Sequence, residues 1–326
     1  MNGPPFVIAH RGASGYLPEH TREAKVLAYG QGADYLEQDV VAAAGGELVV
    51  LHDIYLDEVT DVARRFPERR RGDGRFYVID FALDELRTLR IKERRRKGTD
   101  ERVFPERFAD DTVDFRIVTF DEELRLVRAL NATTGRVVGV YPEIKAPAFH
   151  HQHGIDLAAR VLETLERYGY AAPDSPAVVQ CFEEVELRRC RHELGTRLKL
   201  AQLTDIEPPG WQPDLGRIVE YAEIWAPHFS SLVQAPEAPG ESSGGGIRPA
   251  EAARAAKTAG LEIHPWTFRR DAVPNGFSDL AAQLEFFYGE VGVDAVFCDH
   301  PDIAVQVRAQ RAARVTDGQR PAASIE

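Results

Sequence analysis

His10 closes the apolar run FVIAH and is followed at once by Arg11 and Gly12. A histidine there can be a satisfied core group. A guanidinium, however, offers a planar fork to phosphate oxygens, and glycine lets a backbone approach closely, so His-Arg-Gly reads as a site. Glu37 and Asp39 stand two apart in DYLEQDVV, a spacing that places both side chains on one face of a strand. Two inward carboxylates repel unless a cation lies between them, and the absence of a soft-ligand cluster favours one hard divalent ion, Mg2+ or Ca2+, over zinc. Glu143 and Lys145 repeat the spacing in YPEIK. Glu143 can supply a third metal carboxylate, and Lys145 can pair with the same phosphate or balance the carboxylates; for the pair alone an internal salt bridge is an equal reading. His52, in VVLHD, is the second proton-transfer candidate. Two imidazoles titrating near neutrality suit activation of a nucleophile and protonation of a leaving alkoxide, and which does which stays open.

These residues need a scaffold that collects the ends of several strands. Apolar runs of strand length recur at 6–10, 34–41, 136–145, 177–182, 197–203, 222–229, 261–268 and 293–300. Amphipathic stretches at 20–31, 121–132, 154–168, 183–195, 213–221, 249–259, 279–289 and 301–311 alternate with them. That alternation predicts an α/β fold, a (β/α)8 TIM barrel whose site residues project from the C-terminal strand ends. Phe182 and Trp266 fall at such ends, where they can contact a substrate's carbon skeleton or simply pack; Gln180 is a weaker polar candidate. Residues 1–311 are expected to form the domain, with 54–115 too long for a βα loop and read as a small inserted subdomain after the second strand. Its Arg-rich runs, such as RIKERRRKG, are read mainly as a solvated face. A mobile loop is expected at 237–249 and a disordered tail at 312–326.

The net charge of −12 argues against a nucleic-acid partner, although a local cationic cleft can still take a small phosphorylated substrate. Cys181, Cys190 and Cys298 match neither a zinc nor a redox spacing and read as inert thiols. No run is long enough to span a membrane, and MNGPPFVIAH has no export signal. His150, His151 and His153 in FHHQHG are read as a polar loop rather than a second metal site.

The opening IAHRGASGYLPEHT, followed in order by LEQDV, VVLHD, YPEIK and VDAVFCDHPD, resembles the signature set of the glycerophosphodiester phosphodiesterase family over residues 6 to about 308. The resemblance implies a TIM barrel with a small insertion that hydrolyses deacylated phospholipids, such as glycerophosphocholine, to sn-glycerol 3-phosphate and an alcohol. It implies His10 and His52 as acid and base, Arg11 and Lys145 as phosphate contacts, and Glu37, Asp39 and Glu143 as ligands of the divalent cation. LPEHT carries His20 where many relatives have Asn. With the insertion and YPEIKAP, this is most similar to the periplasmic glycerol-phosphate-uptake branch, which implies calcium where other members use magnesium. Without an export signal the chain as written is expected in the cytoplasm, and in the periplasm if a signal was removed. A barrel that only binds phosphodiesters would not need two histidines beside a metal-ready carboxylate set. A phospholipase acting on intact lipids through a cyclic phosphate would want an apolar docking segment, and none is visible.

Overall fold

The computed structural model describes residues 3–206, 213–234 and 247–316. Among these the strands are β1 (Phe6–Ala9), β2 (Tyr35–Ala42), β3 (Leu48–Val50), β4 (Gly139–Ile144), β5 (Val178–Cys181), β6 (Lys199–Thr204), β7 (Ile224–Pro227), β8 (Val233–Gln234), β9 (Arg248–Pro249), β10 (Glu262–Ile263) and β11 (Ala295–Cys298). The helices are α1 (Arg22–Gly30), α2 (Val62–Arg65), α3 (Leu83–Leu86), α4 (Phe120–Thr134), α5 (Pro147–Gln152), α6 (Leu157–Arg167), α7 (Glu184–His192), α8 (Leu215–Ile218), α9 (Glu251–Thr258), α10 (Leu280–Phe286) and α11 (Pro301–Thr316).

Eight strands run parallel in the order β10-β7-β6-β5-β4-β2-β1-β11. The circle closes through backbone bonds: the Asp294 amide donates to Ile263 at 3.0 Å, Phe297 to Pro265 at 3.0 Å, and Phe268 to Phe297 at 2.9 Å. The fold is the expected (β/α)8 barrel. Alternation along each strand divides the side chains between two layers. Ile8, Tyr141, Val178, Ala201, Ile224 and Phe297 fill the barrel, while Val7, Leu36, Val140, Val179 and Leu200 pack outward beneath the helices. Local chemistry starts those helices. Thr21 caps α1 by accepting from the Ala24 amide, and Thr119 with Glu122 forms a reciprocal box on α4, which ends at Gly135 in the left-handed region.

Strand β3 folds back antiparallel on β2, pairing Val50 with Val40, and carries the chain into residues 54–115. Leu56, Val62, Phe76, Val78, Phe81, Leu86 and Ile91 there form a second core with Val41, Ala43, Val49 and Leu51 of the hairpin. The segment therefore stands on the C-terminal end of β2, beside the residues expected to do chemistry. Its arginines divide: Arg64 and Arg96 are exposed, whereas Arg94 and Arg107 are largely buried in ion pairs, unlike the solvated face expected of them.

Other departures have local causes. The run 261–268 is a strand only at Glu262–Ile263, because Pro265 has no amide to extend the ladder. The helix expected at 213–221 is reduced to α8, which contains Gly216. Helix α11 runs to Thr316, past the boundary expected at 311, since Arg311 and Arg314 both pair with Glu285 and Ala312–Ala313 favour helix. The rest of that tail, and residues 237–246 of the expected loop, lie outside the described residues. All three cysteines are free and buried. No helix of the described residues is long and apolar enough to cross a membrane.

Candidate active site

The inward-facing alternation that fills the barrel with apolar groups turns polar at the C-terminal strand ends. Asp39 on β2 is in register with Glu143 on β4, which is in register with Gln180 on β5. Two residues earlier on β2, Glu37 accepts from the Arg11 backbone amide at 2.5 Å. Gly12 lets this turn form: its φ is +86°, and a Cβ there would lie 2.8 Å from the Ala24 carbonyl carbon.

Glu37 and Asp39 are each 1% exposed. Lys145 stands 2.8 Å from Glu143 and 3.6 Å from Asp39, and Arg11 Nε is 3.6 Å from Asp39. His20, wholly buried with φ +60°, pairs its Nε2 with Asp39 Oδ2 at 2.7 Å. Burial would raise the Asp39 pKa, but Lys145, His52 and His20 outweigh it and hold the carboxylate well below its usual range. Burial and the neighbouring Asp39 push Glu37 well above. Burial likewise pushes Glu143 up to about 8, against the pull of Lys145. Within the cluster, the surroundings thus favour the charge on Asp39 and disfavour it on Glu37.

The two histidines are held in the same way. His10 Nδ1 lies 2.6 Å from Asp299 Oδ1, and His52 Nδ1 lies 2.8 Å from Asp53 Oδ1. A carboxylate partner draws the N–H to Nδ1 and leaves Nε2 as the nitrogen for proton exchange. Burial first, and Arg11 second, lower each imidazole to about 4, although both carboxylates pull upward. Both are therefore neutral at pH 7 in the absence of an anion.

Phe182 and Trp266 meet edge to face at 5.7 Å, and Lys145 Nζ lies 6.0 Å from the Phe182 ring centre, so this aromatic pair walls the same mouth. Gln180 is buried, with Oε1 unpartnered. The FHHQHG imidazoles diverge from helix α5: His150 meets the Ala42 amide, His151 meets Glu186 and His153 meets the Phe149 carbonyl. His151, Asp156 and Glu186 come close together, but Arg189 already pairs with both carboxylates.

The carboxylate cluster fits a divalent ion. Asp39 Oδ1 is buried without a hydrogen-bond partner, and His20, Glu37 and Asp39 offer ligand atoms all within 4.8 Å of one another. A cation there would give that oxygen a close partner and offset the repulsion between Glu37 and Asp39. The sequence alone does not mark His20 as a donor. Only its departure from Asn marks it there, and its contact with Asp39 depends on a turn conformation that the sequence pattern does not reveal.

Residues 10–303 match the model of the glycerophosphoryl diester phosphodiesterase family. The chain belongs to this family. It is 39% identical to a glycerophosphodiester phosphodiesterase of Haemophilus influenzae, covering 94% of this chain and 90% of that one. It is 37% identical to one of Treponema pallidum, with 92% and 91% covered. Among solved structures, the fold is similar to that of a glycerophosphodiester phosphodiesterase from Agrobacterium tumefaciens, with a TM-score of 0.61, 23% identity, and 93% of this chain and 99% of that one covered. It is also similar to an Oleispira antarctica phosphodiesterase in complex with the product sn-glycerol-3-phosphate, with a TM-score of 0.64, 21% identity, and 93% and 96% covered. As a member of the glycerophosphoryl diester phosphodiesterase family, the chain is an enzyme of the phosphoric diester hydrolase class, and the family generally binds a divalent metal.

Proposed function

We propose that this enzyme hydrolyses small glycerophosphodiesters, such as glycerophosphocholine, to sn-glycerol 3-phosphate and an alcohol, with His10 and His52 exchanging protons beside a Ca2+ or Mg2+ ion. The observation that carries this reading is the pair of imidazoles, each fixed through Nδ1 by its own carboxylate, at the mouth where Glu37, Asp39 and Glu143 gather. Glu37, Asp39 and Glu143 would hold the ion, with His20 against Asp39. When bound, the ion supplies positive charge against the non-bridging oxygens as negative charge builds on phosphorus. Arg11 and Lys145, each 3.6 Å from a different oxygen of Asp39, orient the phosphate, and Phe182 and Trp266 shield the glycerol carbons from water. The anionic substrate raises the proton affinity of the neutral imidazoles, so one takes up a proton from solvent at Nε2 and delivers it to the leaving alkoxide, while the other, still neutral, accepts a proton from the nucleophile.

Metal-depleted enzyme, given excess glycerophosphocholine and followed by phosphorus NMR, should turn over repeatedly only after Ca2+ or Mg2+ is added. Which ion restores more activity identifies the better fit. His10→Ala and His52→Ala should each lower kcat by about 10²- to 10⁴-fold at unchanged Tm. Retained activity in either folded variant removes the acid–base pair, and stoichiometric binding without release favours a binder.

A further inference from the structure

We propose that Arg94 and Arg107 are positioning residues for the two histidines, each acting through the carboxylate that holds one imidazole; this rests on the roles proposed above for His10 and His52. Both arginines come from residues 54–115, outside the barrel's βα repeat. Asp53 bonds His52 with one oxygen, and its other oxygen accepts from Arg94 Nη1 at 2.7 Å. The far edge of Arg94 is bidentate on Glu19, at 2.7 and 2.9 Å, and Glu19 accepts in turn from Arg11 at 3.1 Å. Asp299 is built into a matching chain. One oxygen meets His10, and the other accepts from Arg107 Nη2 at 2.7 Å and from Arg269 Nε at 2.9 Å. Arg107 is also bidentate on Asp271, at 2.6 and 2.9 Å. Its remaining nitrogen donates to the Ser14 carbonyl at 3.2 Å, while the Ser14 hydroxyl donates to the His10 carbonyl at 2.8 Å.

A carboxylate bound at one oxygen can swivel, and the imidazole swivels with it. Fixing the second oxygen fixes the plane, and a guanidinium does so without competing for the Nδ1 proton. Burying the guanidinium carries a desolvation cost, so the side chains of Arg94 and Arg107, 12% and 6% exposed, are matched by three and two carboxylates respectively. Pinning the segment to the barrel alone would not require both guanidinium groups to end on the carboxylates behind the two imidazoles. The chains differ in redundancy. Asp299 keeps Arg269 if Arg107 is lost, whereas Arg94 is the guanidinium holding Asp53.

The test uses the full chain with saturating metal and glycerophosphocholine. Arg94→Ala should lower kcat about 100-fold with KM within about threefold, and Arg107→Ala about 10-fold, because misplacing a reacting group by an ångström costs about 10² in rate. Added guanidinium ion should restore much of the Arg94→Ala loss. Asp53→Asn should show a loss of similar size, and combining it with Arg94→Ala should add little. A kcat within about twofold of the parent in Arg94→Ala, a rise in KM alone, or additive losses with Asp53→Asn would overturn the proposal. If Arg94→Ala does not fold, Arg94→Lys and Asp53→Asn decide: matching kcat losses support it, and full activity in either sinks it. His52→Ala separates the two ideas. Activity there defeats the acid–base reading itself, whereas a dead His52→Ala beside an unimpaired Arg94→Ala defeats only the positioning role.

Discussion

Glu93 lies next to Arg94 and is 4% exposed, with its Oε2 buried and unpartnered. Burial first, and then Glu19, push its carboxyl up to about 8 from 4.5, against the pull of Arg107. Between those two values the folded chain holds a proton that the unfolded chain has released. The stability from this site is therefore full below 4.5 and is lost as the pH rises through about 8. Glu93→Gln removes that slope. Its Tm should exceed the parent's by at least about 2 °C at pH 8.5 and converge with it near pH 5, as differential scanning calorimetry can measure; a constant difference would rule out the titration. At this scale the sequence reveals types more readily than partners. His10, His52, Glu37, Asp39, Glu143 and Lys145 are marked by their places at strand ends, and the structure gathers Glu37, Asp39, Glu143 and Lys145 together. Asp299, His20, Arg94 and Arg107 meet their partners 289, 19, 41 and 192 residues away, distances no local pattern encodes.

The elements were the most legible part, because a strand buried on both faces must be a continuous apolar run and a covering helix must be amphipathic. Every one of the eight runs read as a barrel strand overlaps one, with β2 and β6 each ending one residue beyond its run. What remained hidden is where backbone chemistry overrides the apolar pattern, as at Pro265 in the run that includes β10. Residues 54–115 were recognisable as an excursion from their length, but not as a platform on the β2–β3 hairpin, since their core borrows Val41 and Val49 from it. Helix α4 follows directly, and its Thr119–Glu122 box satisfies two amides that would otherwise be unpaired. Thr119→Ala should cost about 1 kcal/mol, seen as a lower urea midpoint at unchanged m. Since Thr119 touches none of the ionic chains, kcat should be unchanged.

At the scale of the whole molecule, two cores share one hairpin, and damage to the smaller should be felt at the site. Phe76 is wholly buried in the second core. Phe76→Ala should cost about 3–5 kcal/mol. Unlike Thr119→Ala, it should also lower kcat, measured well below the variant's Tm, by loosening the segment that supplies Arg94 and Arg107. An intact kcat would show that this segment holds its place without its core. The pairing of β1 with β11 bears on the life of the chain during synthesis. His10 emerges from the ribosome with the first strand, while the carboxylate that orients it arrives 289 residues later with the last. Contacts so remote in sequence form late, since the loop they close must first be ordered. The enzyme should therefore be inert throughout translation and gain activity with the final strand, making the return of turnover on refolding a direct clock for barrel closure.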